Sequence, residues 1–165
     1  MALTTIPVEL LTLDDGVTIT VDDNSAALTI VSTDAHNDTG PQLNLYRNSS
    51  SPADSDFLGR MQFIGRNDNS EDFVATDILT RIIDASDGTE DARLDINTMV
   101  AGTSRNRITV TESEAIINEG SIDVDFRVES DNRTHLLFVD GGEDLVLIGT
   151  GPKSVVSGGD PGLQV

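Results

Sequence analysis

The sequence predicts an all-β protein, and three observations lead there. Apolar residues recur at every second position in one run after another. Asn, Asp, Gly and Ser cluster between those runs, where chain reversal demands them. No stretch sustains a 3.6-residue period. The predicted architecture is an antiparallel, β-sandwich-like domain of short strands, followed by a short C-terminal β segment.

Residues 1–16 read as an N-terminal docking arm. Within it IPVELL is the one helix candidate, with Thr5 as N-cap and Pro7 in the first turn. An irregular arm suits Pro7 as well. Residues 17–118 form the predicted β domain. Val17, Ile19 and Val21 alternate in VTITV, and Leu43 and Leu45 in QLNLY. Leu94 and Ile96 do so in RLDIN, and Ile108 and Val110 in RITV. In FVATDILTRIID, Val74, Ile78 and Ile82 share one face. Phe73, Ala75, Leu79 and Ile83 lie toward the other, so this strand is predicted to be buried on both sides. Turns are expected at 22–24, 36–41, 48–56, 67–72 and 84–91.

A boundary near Glu119-Gly120 opens the C-terminal segment, residues 119–150. In SIDVDFRVES, Ile122, Val124, Phe126 and Val128 alternate with Asp123, Asp125, Arg127 and Glu129. HLLFVD and DLVLIGT then read as a hairpin that turns at Gly141, Gly142 and Glu143. Residues 151–165 are a Gly- and Pro-rich tail.

Composition narrows the partners. Hydrophobic residues make up 37% and aromatics 4%, with one Tyr and no Trp, so a single-chain core would be thin. Part of the burial is therefore expected between chains. The formal net charge of -19 repels phosphate backbones and anionic lipid heads. Nucleic acid and membrane are excluded as expected partners. Cys is absent, which removes disulfides, thiolate metal sites and Cys nucleophiles. The opening MALTTIPVELLTLDDG has no basic residue and carries Pro7 and Glu9, so neither a secretory signal nor a membrane span is expected.

Candidate chemistry is sparse. DASDGTED gathers Asp84, Asp87, Glu90 and Asp91 around Gly88, hard oxygen donors of the kind calcium takes. Its spacing departs from the twelve-residue calcium loop, and turn geometry alone accounts for those residues. NDNSED reads the same way. His36 sits in a polar loop and His135 in a strand-like run, with no nucleophile signature beside either. Gly149-Thr150-Gly151 lacks phosphate-loop spacing, and Pro152 stands where a helix would have to begin. Acid pairs are abundant by composition alone, and few aromatics are available to stack on sugars. Arg60, Arg66, Arg81, Arg93, Arg105 and Arg107 are expected to pair with acids on strand faces. No catalytic, cofactor-binding or metal-ligating residue is therefore assigned, and the chain is not expected to be an enzyme. Calcium is the one ion the acidic loops would suit.

Several stretches carry a resemblance. LYRNS, SPAD, FIGRND, IIDASDGTEDARL and TMVAG are similar to a module of tail-fibre and other fibrous virion proteins of tailed bacteriophages, marine ones in particular. MALTTIPVELL resembles the opening of such fibres, and FRVESDN with FVDGGEDLVLIGT resembles their closing β element. That closing element often reads Gly-Ile-Gly-Thr, whereas here Leu147 precedes Ile148-Gly149-Thr150. The resemblance implies a structural virion protein, homotrimeric, that contacts other virion proteins of the tail or capsid. It implies a short tail fibre or fibre adaptor, acting in particle assembly or host attachment. A capsid decoration or head spike is the alternative. Apart from the resemblance, DASDGTED and the acidic balance leave a calcium-dependent glycan-binding module as a second alternative, and host surface glycan as a further expected partner.

Overall fold

A computed structural model describes residues 16–149, together with the backbone of 155–157. The chain divides into two units, Met1–Asn44 and Leu45–Val165. The helix candidate at Pro7–Leu11 and the rest of the docking arm up to residue 15 lie outside the described residues. So does most of the C-terminal tail.

In the first unit, residues 16–44 form no strand. Val17, Ile19 and Val21 keep their alternation but stand exposed. A strand is defined by a hydrogen-bonded partner, and among the described residues this run has none. Local order comes from side chains that accept backbone amides two residues on. Asp23 accepts from Ser25 at 2.8 Å, and Asp34 from His36 at 3.0 Å.

The second unit is all-β, with no helix among the described residues. Its strands are β1 (Phe57–Arg66), β2 (Asp72–Asp84), β3 (Asp91–Val100), β4 (Thr103–Val110) and β5 (Ala115–Ile117), then β6 (Phe126–Ser130), β7 (Arg133–Asp140), β8 (Leu145–Ile148) and β9 (Val155–Ser157). The first five form one antiparallel sheet in chain order, and the last four form another. The all-β class and the antiparallel pairing are as expected, as is a main sheet followed by a shorter one.

The turns show why the register holds. β3 and β4 are joined by Ala101 and Gly102, with φ of 47° and 77°. Two successive positive φ values match the two-residue hairpin turn that suits the twist of paired strands. Between β1 and β2, the Asn67 side chain accepts the amides of Asn69 and Glu71 at 3.0 and 2.8 Å. Between β7 and β8, Asp140 accepts the amides of Gly142 and Glu143 at 3.0 and 2.9 Å.

Two expectations about strand extent change. The SIDVDFRVES strand begins only at Phe126. Ile122 and Val124 lie in a turn closed by the Val124 amide on the Ile122 carbonyl at 2.8 Å. Asn118 Nδ2 also binds that carbonyl, at 2.7 Å. The turn lets the Val124 backbone pass so close to Gly141 that a Cβ there would meet the Val124 carbonyl oxygen at 2.6 Å. Second, the Gly- and Pro-rich segment after the hairpin is not wholly a tail. Val155–Ser157 pairs with β8 as a fourth strand of the smaller sheet. Strand-favouring Val155 and Val156 form a short run between Gly-rich stretches.

Candidate functional site

The five-stranded sheet has two faces of opposite character, and its register assigns every residue to one of them. Residues directly opposite in neighbouring strands share a face. On one face Gln62, Asp77, Asn97 and Asn106 form a row across β1 to β4. Beside it runs a second row of Arg60, Leu79, Asp95, Thr109 and Ile116.

These rows make a connected polar network. Arg60 donates from Nε to Asp77 at 2.8 Å, and its Nη2 reaches the same oxygen. Asn97 donates to the other oxygen of Asp77 at 2.6 Å. Arg93 Nε contacts both oxygens of Asp95, at 2.8 and 3.0 Å. The Thr109 hydroxyl donates to Asp95 at 2.7 Å and accepts from Arg93 Nη2 at 3.1 Å. Asn106 bridges Asp95 and Asn97, at 2.8 and 3.2 Å. Asp77, Asp95 and Thr109 are 2%, 7% and 0% exposed, and they are the buried polar residues of the described chain.

Burial pushes the Asp95 carboxyl up, but the bonds from Thr109 and Arg93 outweigh it. The charges of Arg93 and Arg81 act in the same sense, and the carboxyl ends below its ordinary value. Arg81 lies opposite Arg93 across β2 and β3, and its buried Nε has no hydrogen-bond partner. Of the arginines expected to pair with acids, Arg60, Arg66 and Arg93 do so. Arg81, Arg105 and Arg107 make no ion pair among the described residues.

The other face is mainly apolar, although a row of Phe63, Thr76, Thr98 and Arg105 also crosses it from β1 to β4. Met61, Ile78, Ile96, Ile108 and Ile117 form one uninterrupted row across all five strands. The next row is Gly59, Thr80, Leu94, Val110 and Ala115. At its edge Leu45 lies over Gly59, where a Cβ would come within 3.1 Å of Leu45 Cβ. Ile78 is still 36% exposed although it sits on an interior strand. Among the described residues no hydrophobic side chain is fully buried, and large apolar side chains from Val17 to Ile148 stand exposed. Burial is thus the inverse of the usual pattern, with polar groups inside and isoleucines outside.

In the loops singled out in the sequence, Asp84 and Glu71 are engaged by their own turns. Asp84 accepts the Ser86 amide at 2.8 Å and the Thr89 hydroxyl at 3.4 Å, and its carboxyl is lowered, chiefly by Ser86. Asp54 reaches the Ala85 amide at 2.9 Å. No three His, Asp or Glu side chains converge as metal ligands among the described residues. His36 lies against Asp34 at 2.6 Å in the first unit. His135, in the second, contacts the Thr134 hydroxyl at 2.9 Å and the edge of Phe138.

One depression of about 380 Å3 lies between the 118–122 turn and the β7–β8 hairpin, with Asp140 and Asp144 on its wall. Asp140 already accepts the amides of its own turn, Gly142 and Glu143. In the FVDGGED turn, the amides of Gly141, Gly142 and Glu143 are taken by the Asp125 and Asp140 carboxylates, so none is left to cradle a phosphate. No family model, curated protein or solved structure matches the chain.

Proposed function

We propose that this chain is a non-enzymatic structural protein of a bacteriophage virion, built as a homotrimer and serving as a short tail fibre or fibre adaptor. One observation carries the reading. Among the described residues no hydrophobic side chain is fully buried, while both units present rows of exposed apolar residues. Such a chain gains its main folding energy only when other chains cover those rows. The sequence resemblance to fibrous phage proteins supports the trimer and the virion. The acidic surface supports contact with protein neighbours, or with host glycan, over contact with nucleic acid.

Gold-labelled antibody against the chain, applied to intact particles of the phage that encodes it, tests the assignment. Label on the tail is the expected result. Label on the head would make it a decoration or spike protein. Particles that carry none of the chain would refute a virion role.

A further inference from the structure

We infer that the row Met61–Ile78–Ile96–Ile108–Ile117 is the surface on which a second copy of this chain docks. The inference rests on the reading of the chain as a self-assembling protein and names the face that assembles. The row is continuous because each residue is the direct register partner of the next. It contains no charge. That matters for a chain of net charge -19, since copies can approach closely only where they present no like charges. The opposite face has no comparable need of cover. Its buried carboxylates are already satisfied within the chain by Arg60, Asn97, Arg93, Thr109 and Asn106.

Size supports a second copy as the occupant. With the third row of Phe63, Thr76, Thr98 and Arg105, which spans only four strands, fourteen positions of about 4.8 by 6.8 Å give roughly 460 Å2 per face. Two such faces together give about 900 Å2, close to the roughly 1,000 Å2 of the smallest specific interfaces. The need for cover also extends along the chain, from Val17 through the five-stranded sheet to Ile148. A partner of matching length and matching apolar spacing meets that need, and another copy has both by construction.

The methionines supply an internal control. Met61 ends the apolar row and is 41% exposed in the single chain. Met99 lies in β3 two residues beyond Asn97, toward the polar face, and lines a depression with Asn67, Phe73 and Gly102. Native protein is treated with hydrogen peroxide, and sulfoxide at each site is followed by peptide mass spectrometry, with native mass measured on the same sample. The expected result is an oligomer in which Met61 oxidises at least about tenfold more slowly than Met99. The expected companion result is that Ile96→Asp yields single chains or no folded protein.

An oligomer in which Met61 oxidises as fast as Met99 overturns this inference while leaving self-assembly standing. Met61 protected in a species of single-chain mass also overturns it, because a segment of the same chain then covers the row. A dimer with Met61 protected upholds the docking face and removes only the trimer.

Discussion

Thr109→Val probes the polar network with almost no change of shape. The hydroxyl is fully buried, donates to Asp95 at 2.7 Å and accepts from Arg93 at 3.1 Å. Arg93 and Asn106 still hold Asp95 in the variant, so the carboxylate is weakened, not abandoned. Loss of both bonds to charged groups, Asp95 and Arg93, predicts a cost of about 2–4 kcal/mol at pH 7. The cost should depend on pH. The folded-state pKa of Asp95 lies below its unfolded value of about 3.9, so its ionised form stabilises fully above that value. That contribution is lost as pH falls through the lower, folded value. Thr109 is the foremost of the bonds that lower it, so the variant should lose its contribution at a higher pH than the parent. Urea unfolding at fixed protomer concentration, from pH 7 to 2, reads both effects. Once Asp95 is protonated, the Asp95 share of the cost should shrink to about 1 kcal/mol, the value of a neutral bond. A cost below about 0.5 kcal/mol at neutral pH, or one unchanged in acid, would refute the network's role.

Three further outcomes are expected. Gly141→Ala forces its Cβ against the Val124 backbone, so the smaller sheet should lose about 1–3 kcal/mol. Hydrogen exchange would show this as faster amide exchange in β6 and β7 with β2 and β3 unaffected. Ala101→Asn relieves a left-handed alanine in the β3–β4 turn and should gain up to about 1 kcal/mol, read as a raised Tm; a lowered Tm would speak against that turn. Chelator should leave Tm within about 1 °C, because Asp84 of the 84–91 loop is engaged by the Ser86 amide and the Thr89 hydroxyl and no three ligand side chains converge among the described residues; a large drop would indicate a bound cation.

Period-two patterning made the strands legible where apolar residues alternate with polar ones. Leu94 and Ile96 in β3, and Ile108 and Val110 in β4, do share the apolar face as read. In β2 the pattern was harder, since apolar residues stand on both sides. There the expected burial is only partial, and Ile78 stays partly exposed while Asp77 beside it is nearly sealed. The network was half visible. Alternation alone sends Asp77, Asp95 and Thr109 to the face opposite the isoleucines. It does not say that Asn97 and Asn106 stand in register with them, because register is a property of pairing. β1 was silent, since two glycines and Arg60 interrupt its alternation. VTITV misled for the opposite reason. Its alternation is good, but a strand also needs a partner, and among the described residues it finds none. A single sequence cannot show whether an apolar row is covered by its own chain or by another.

Native mass decides whether another chain covers the row. The measurement is made on purified protein at moderate concentration and physiological salt. A trimer gives one dominant species at three times the 17.6 kDa chain mass, with no folded single chain when it is diluted. A stable, cooperatively folded species at the mass of one chain would contradict it.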